Sequence, residues 1–357
     1  MPPVVSVVVP ATLPPQLSAR GTLLNMRILF SVSYNPTFEP PDGWVGGHTV
    51  VVHRGGCDWG MRGVRKRVHH LAEAIRVLRK ARSFDALVLC TAGVEAFIIS
   101  KFKGWFGPKH LKLVLFDVLI PRESRASRLI GPWINGADAI AVIRRGDAAT
   151  LHRRFGFPAE RCEFVPFPAP ALAPVQAVPE SDYIYSAGFA HRDWPTLIEA
   201  LSQLPYRAII CPGCPVEIPA GARGRIEVRP MPPPEQGRKL MAAARLVVQS
   251  LRDTELPSGP LILLDAMAMG KPVVASNVNG TRDYVEDGVD ALLVEPADVS
   301  ALAQQIRRVM EDDELRRRLS VGARAKAGSL SLQKTMRALL RMCEHESEIA
   351  SGECETR

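Results

Sequence analysis

One carboxylate, Asp265, interrupts a run that is otherwise apolar. Leu261, Ile262, Leu263 and Leu264 precede it, and Ala266, Met267, Ala268 and Met269 follow. A helix that is apolar on every side is buried. A carboxylate within it must meet a donor, from protein or from ligand. The two hydroxyls of a ribose are such donors, each charged hydrogen bond contributing about 1.5–3 kcal/mol. Ahead of the run, Ser258-Gly259-Pro260 joins a small residue, a flexible residue and an N1-type proline, which is the composition of a helix start. Backbone N–H groups at such a start favour anions. The spacing therefore suits a diphosphate at Gly259–Leu261 and a ribose near Asp265, one turn on. A buried Asp that caps a neighbouring loop is the alternative. Gly270 reads as the helix C-cap, and Lys271-Pro272 leads into the strand Val273-Val274-Ala275.

The elements that would position these residues follow an alternating pattern. From Met26, strands are expected at Arg27–Val32, Thr49–His53, Ala86–Cys90, Leu111–Phe116 and Ala139–Val142. Helices are expected at Val64–Lys80, Gly93–Phe102 and Gly146–Phe155. In the first of these, Val68, Leu71, Ala72, Ile75 and Leu78 form one apolar stripe at helical spacing. Five prolines within residues 166–179 exclude helix and central strand, so this stretch reads as a stiff linker. The alternation then restarts. Strands are expected at Asp182–Ser186, Tyr206–Cys211, Ile226–Arg229, Leu246–Gln249, Pro272–Ala275 and Ala291–Val294, with helices at Trp194–Leu204, Pro234–Ala244, Gly259–Met269, Thr281–Val285 and Val299–Asp312. From Asp313 the chain is helical to about Arg341, and its last residues are acidic. Such alternation implies parallel sheets covered by helices. Two halves of this kind suggest a cleft between them, with ligands at the carboxyl ends of the strands.

The 357 residues suit two domains, and their composition is that of a globular protein. No apolar run reaches the roughly 20 residues that span a bilayer. The N-terminus is interrupted by prolines and lacks a basic leader, so residues 1–25 read as a flexible arm and the cytoplasm as the default compartment. Seven cysteines argue against a disulfide framework. The charge is uneven. Residues 26–165 carry 22 Lys and Arg against 12 Asp and Glu, and residues 166–357 carry 22 against 25. The basic half should face something anionic, unless its charge is merely solvated surface. Lys101–Lys112 mixes aromatics with cations, as a membrane-surface anchor or a surface loop around Trp105 would. Nucleic acid is disfavoured because no recognised binding module accompanies the charge. Cys211-Pro-Gly-Cys214 lacks a second ligand pair and reads as a turn, and His69-His70 reads as a solvated helix face.

The segment around Asp265, ending Asp265-Ala-Met-Ala-Met-Gly-Lys-Pro-Val-Val-Ala-Ser276, resembles the donor-site motif of retaining glycosyltransferases of family 4 (group 1). Asn279-Gly280-Thr-Arg-Asp283 through Asp287-Gly288 is similar to that family's following loop. Tyr185-Ser-Ala-Gly188-Phe-Ala-His191-Arg192-Asp193 is similar to the strand and loop that bring basic residues to the donor diphosphate. The resemblance is close over residues 182–310 and loose over 85–165. It implies a GT-B fold, an α/β arrangement of two Rossmann-like domains with parallel sheets facing across a cleft. The implied divisions are residues 1–25 as arm, 26–165 as acceptor domain, 166–180 as linker, 181–330 as nucleotide-sugar donor domain and 331–357 as C-terminal helix and tail.

The resemblance further implies a metal-independent retaining transfer from a nucleoside-diphosphate sugar, with no cofactor, to a glycan, lipid-linked or small-molecule acceptor. It places Gly188, His191, Arg192, Ser258, Gly259, Leu261, Asp265, Lys271, Asn279 and Gly280 at the donor. Arg192 would stabilise the leaving phosphates, a preorganised electrostatic role, and Lys271 would either assist or serve as a helix-end cation. Asp117 would organise the acceptor side. The sequence departs from the pattern at several places, among them Pro260, which removes one amide expected near the diphosphate, and the Gly-rich first loop, for which Gly46-Gly47 and Gly55-Gly56 are only candidates. The first acidic residue of the motif should stand at position 257, which is Pro257, leaving Glu255 as its candidate replacement. Phe189 stands where a phosphate-binding arginine is common, and Phe116-Asp117 where His-Asp is frequent. These departures keep open a catalytically degenerate protein that binds nucleotide or glycan. Peripheral contact with an anionic membrane, through the basic N-terminal domain, is the expected further partner.

Overall fold

The computed structural model describes residues 25–32, 38, 40–55, 63–90, 93–106, 110–171, 179–256 and 260–344. By its contacts the chain divides into two units. One takes in the chain up to Ile143, Ala148–Val165 and everything from Met336; the other takes in Arg144–Asp147 and Pro166–Thr335.

The N-terminal unit is built on a seven-stranded sheet. Its strands are β1 (Arg27–Val32), β2 (Gly43–Val45), β3 (His48–Arg54), β4 (Ala86–Cys90), β5 (Lys112–Phe116), β6 (Ala139–Val142) and β7 (Cys162–Phe164), in the order β2-β3-β1-β4-β5-β6-β7. All neighbours are parallel except β2 and β3. Those two form a hairpin closed by Gly46-Gly47, both at positive φ, the backbone that a two-residue turn needs. β2 and β7 were not expected; each is three residues long and lies at a sheet edge, where little hydrophobic patterning is required. Helices α1 (Gly63–Ala81), α2 (Val94–Phe106), α3 (Arg125–Ile130) and α4 (Gly146–Phe155) follow along the chain. The inward face of α1 differs from the expected stripe. His70, Glu73, Ala74, Val77, Leu78 and Ala81 are buried, whereas Val68, Leu71 and Ile75 are exposed. His70 is therefore not a solvated residue.

The C-terminal unit has a wholly parallel six-stranded sheet. Its strands are β8 (Tyr183–Gly188), β9 (Arg207–Pro212), β10 (Ile226–Val228), β11 (Leu246–Gln249), β12 (Val273–Ser276) and β13 (Leu292–Val294), in the order β10-β9-β8-β11-β12-β13. The chain winds outward from β8 through β9 to β10, then returns to the other side of β8 with β11. The winding direction therefore reverses between β8 and β11. This is a topological switch point, where the loops leaving the carboxyl ends diverge and open a crevice. Helices α5 (Trp194–Ser202), α6 (Pro234–Ala243), α7 (Leu261–Ala268), α8 (Val299–Glu311) and α9 (Asp313–Ser329) complete the unit. Leu197, Leu201, Leu302, Ile306 and Leu319 pack with Ile184, Ile210, Val248 and Val274 in one core. The helix expected at Thr281–Val285 is instead a series of turns. Val278 carbonyl accepts from both Thr281 and Arg282, and Thr281 carbonyl from Tyr284, without extending into a helix.

Helix α10 (Leu332–Glu344) begins after a break at Leu330-Ser331. From Met336 it belongs to the N-terminal unit, where Glu344 meets His48 at 2.7 Å and Arg341 pairs with Glu163. At the start of the expected linker, Phe167 N–H donates to the Tyr284 hydroxyl at 2.9 Å, and Ala169 N–H to the Leu330 carbonyl at 2.8 Å. Residues 172–178 of that linker, like residues 1–24 and 345–357, lie outside the described residues.

Candidate functional site

The loop leaving β8 carries Phe189, Ala190, His191 and Arg192 before α5 begins. Asp193 caps α5 with its side chain, accepting from Thr196 N–H and, at 2.8 Å, from the Thr196 hydroxyl. The cap fixes where the helix starts and so where the loop ends. The loop is also stitched to the chain leaving β11. Arg192 and Leu251 form a backbone bridge, Asp193 N–H donates to Ser250 carbonyl, and Arg252 N–H donates to His191 carbonyl at 2.9 Å. Ser276, at the end of β12, accepts from Leu251 N–H at 2.9 Å. The carboxyl ends of β8, β11 and β12 are thereby locked together on the crevice side.

Arg192 is the cation of this corner. Its side chain is buried, and its Nε donates to the Ala187 carbonyl at 2.8 Å. The guanidinium can lie there only because Gly188 has no side chain. A Cβ on Gly188 would come within 2.3 Å of Arg192 Nε, and Gly188 has φ +135°, a conformation that L side chains rarely adopt. No carboxylate pairs with Arg192 among the described residues. Burial alone pulls its pKa down, to about 10, so it stays charged at neutral pH. His191, half-buried at φ +51°, precedes it. Phe189 is exposed and rests against Gly213, where a Cβ would come within 2.1 Å of its ring.

Asp265 is the anion. It sits in the second turn of α7, whose first helical bond runs from Leu264 N–H to Pro260 carbonyl at 2.8 Å. The helix is less enclosed than its composition implies. Leu263, Leu264, Ala266 and Met267 are buried, but Leu261, Ile262, Asp265, Ala268 and Met269 are only partly so. Among the described residues no hydrogen bond or ion pair reaches the Asp265 carboxylate. Burial raises its pKa to about 6, and the charge of Arg238 on α6 only partly opposes this. The carboxylate is thus desolvated, unpartnered and open to a donor arriving from outside. Ser258 and Gly259, expected to bear the diphosphate amides, lie outside the described residues, as does Pro257.

Arg144 was missed by the sequence reading. It is fully buried and groups with the C-terminal unit. It is paired with Asp147, and it donates to Leu256 carbonyl at 2.9 Å and to Glu255 carbonyl at 3.1 Å. One guanidinium therefore sets the backbone from which the exposed Glu255 side chain projects. Burial raises the Asp147 pKa even against its Arg144 partner. The only available sequence signal was an Arg and an Asp three residues apart at a helix start. Asn279 is drawn into the same segment. Its Oδ1 accepts from Gly146 N–H at 3.3 Å, and Asp283 accepts from Arg145 N–H at 2.8 Å. Gly280 follows Asn279 at φ +94° in the turn.

Lys271 is placed elsewhere. It stands two residues before β12 and so at the amino end of a parallel sheet, whereas Arg192 follows the carboxyl end of β8. Its ammonium lies 3.6 Å from Glu180, which also precedes its strand. Burial lowers the Lys271 pKa, with Glu180 opposing. The structure therefore separates Lys271 from the expected diphosphate. Asp117 belongs to the N-terminal unit. It follows β5 at φ +56°, buried, with its N–H donating to Ala141 carbonyl at 3.2 Å. Among the described residues no three His, Cys, Asp or Glu side chains gather into a metal-binding group.

Residues 221–326 match the family model described as Glycosyl transferases group 1. The matched stretch lies in the C-terminal unit and includes Asp265. A D-inositol 3-phosphate glycosyltransferase of Frankia alni is 36% identical over 116 residues, covering 32% of this chain and 28% of the relative. One from Xylanimonas cellulosilytica is 28% identical over 266 residues, covering 65% of this chain and 62% of the relative. The match to the first of these thus spans about a quarter of its length. The Anabaena protein HepE, solved in complex with UDP-glucose, superposes with a TM-score of 0.63 at 19% identity, covering 89% of this chain and 100% of HepE. At that identity the likeness defines the fold, which is GT-B: two Rossmann-like α/β units, one with a wholly parallel sheet and one parallel but for the β2–β3 pair.

Two outcomes follow from this geometry. Gly188→Ala is expected to displace Arg192 and to cost about 1–3 kcal/mol in chemical unfolding, through backbone strain and the lost guanidinium seat. Asp265→Asn is expected to raise stability at pH 7. The folded-state pKa of Asp265 lies above the unfolded value, so folding loses stability as pH rises from about 4 through 6. A shift of about two units corresponds to at most ~3 kcal/mol. Unfolding curves should show the variant gaining over the parent at pH 7 and the gain disappearing near pH 4.

Proposed function

We propose that the chain is a glycosyltransferase that takes a sugar from a nucleoside-diphosphate sugar, with retention of configuration and without a metal ion. The observation that carries this reading is a pair of charges in the C-terminal unit that the described residues leave unpartnered: a buried guanidinium beside the switch point, and a desolvated carboxylate. A nucleoside diphosphate has the complementary groups, phosphate oxygens for Arg192 and ribose hydroxyls for Asp265. The family match over residues 221–326 includes Asp265, and HepE binds UDP-glucose on the same fold.

In this reading the departing diphosphate gathers negative charge as the glycosidic bond breaks. Arg192, already oriented by Ala187 and Gly188, stabilises that charge with little reorganisation, which is where such donors are most effective. Asp265 holds the nucleoside end and acts mainly on binding. Glu255, on a backbone fixed by Arg144, is the carboxylate available to the donor sugar. Asp117 is assigned to the acceptor side, and the acceptor is a glycan, a lipid-linked sugar or a small molecule.

The test is donor binding and turnover across UDP-, GDP- and ADP-sugars. Asp265→Ala is expected to weaken binding of the preferred nucleoside diphosphate by about 10- to 100-fold, the worth of one charged hydrogen bond or slightly more. Arg192→Ala is expected to lower kcat by 100-fold or more with a smaller change in KM. Unchanged affinity in Asp265→Ala would refute the ribose placement. Tight nucleotide binding without turnover on any donor would favour a degenerate binding protein. Affinity is also expected to depend on pH. Asp265 must be ionised to accept from the ribose, so calorimetric affinity should be highest above about pH 6 and fall as pH drops below it. The dependence should be lost in Asp265→Asn.

A further inference from the structure

Helix α1 of the N-terminal unit turns one apolar row, together with His70 and Glu73, toward the core. Glu73 receives His53 Nε2 at 2.9 Å and Arg76 at 2.9 Å, while His70 lies 3.0 Å from Glu95 of α2. These pairs, together with Ala74, Val77, Leu78 and Ala81, occupy the inward face. The consequence is an apolar stripe turned to solvent. Val64, Val68, Leu71 and Ile75, spaced by four, three and four residues, are 72%, 60%, 47% and 42% exposed. That spacing places them in one row along the helix. Cations border the row. α1 holds Arg65, Lys66, Arg67, Arg76, Arg79 and Lys80, and its single carboxylate, Glu73, is buried. At 100° per residue, Arg67 lies on one flank of the stripe, and Arg65, Arg76 and Arg79 on the other. At the amino end, Lys66, Arg67 and His70 line a surface cavity of about 410 Å³ together with Val94 and Ile98. Val94 is itself exposed.

We propose that this face of α1 is a docking surface for an anionic lipid bilayer. A shallow apolar row on a convex helix, bordered by cations on both flanks, matches the acyl–headgroup boundary of such a bilayer. The helix lies along the surface with its aliphatic side chains inserted and its Arg and Lys residues among the headgroups. It does not span the membrane, and no described helix is long and apolar enough to do so. The charge complementarity selects anionic lipid, each cation near the surface contributing about fivefold to affinity. The segment Lys101–Lys112, singled out in the sequence for the same role, is less suited to it: Lys103 is held by Asp138.

The experiment is flotation of the full chain with vesicles of phosphatidylcholine alone, or of phosphatidylcholine and phosphatidylglycerol in equal parts. The parent protein should float with the anionic vesicles, more weakly at high salt, and remain unbound with pure phosphatidylcholine. V68D/L71D should lower vesicle affinity by at least about tenfold while leaving nucleotide binding unchanged, since neither side chain belongs to the core or to the donor site. R65E/R79E should lower it comparably. Absence of flotation with anionic vesicles, or flotation of V68D/L71D equal to that of the parent, would overturn the proposal. So would self-association of the parent in analytical ultracentrifugation that V68D/L71D abolishes without any effect on vesicles, because the stripe would then bind a second copy.

Discussion

A charge held out of water needs a partner, and the C-terminal unit holds two for which its described residues supply none. Among the described residues the Arg192 guanidinium donates to the Ala187 carbonyl and meets no carboxylate, and Asp265 has a pKa raised by burial with no donor reaching it. Much of the local architecture follows from placing these two groups. Gly188 gives up its side chain and takes a conformation reserved for glycine, so that a guanidinium can lie on its backbone. Asp193 caps α5 and fixes the end of the loop that carries Arg192. The strand order reverses between β8 and β11, which opens a crevice beside that loop. A site held in this way is less stable than one with its charges paired, a familiar relation between function and stability.

The loop leaving β8 and the chain just after β11 are tied to each other. The strands after which they emerge are buried, and the loops exchange backbone hydrogen bonds with one another. Arg144 contributes a second kind of tie. A buried ion pair is weak evidence for stability in itself, but breaking one leaves an uncompensated charge. Here the pair with Asp147 fixes the guanidinium that holds the Glu255 and Leu256 carbonyls. That makes Arg144 a positioning residue for the backbone of Glu255 and Leu256.

Much of this was legible in the sequence. Among the described residues, eleven of thirteen strands were expected close to their observed bounds, because buried parallel strands are short apolar runs between turns. The two missed strands are three-residue edges, where pattern is weakest. Asp265 was legible because a carboxylate in an apolar helix has few explanations. Arg192 was legible only through the resemblance. Lys271 was left open between a donor role and a helix-end cation, because closeness along the chain does not say which end of a strand a residue occupies: a residue between a helix C-cap and the next strand lies at the amino edge. The face of α1 was misread for a different reason. The helix carries two apolar rows, and periodicity alone does not choose between them. The choice was made by Glu73 and His70, whose partners lie on β3 and α2 and are distant in sequence.

The central claim is that a nucleoside diphosphate completes the charges of the C-terminal unit. The most direct measurement is a crystal structure of the full chain with the nucleoside diphosphate it binds best. Phosphate oxygens within hydrogen-bond distance of the Arg192 guanidinium, and a ribose hydroxyl donating to the Asp265 carboxylate, are the predicted result. A nucleotide seated away from both residues, with the two side chains unmoved, would contradict the account.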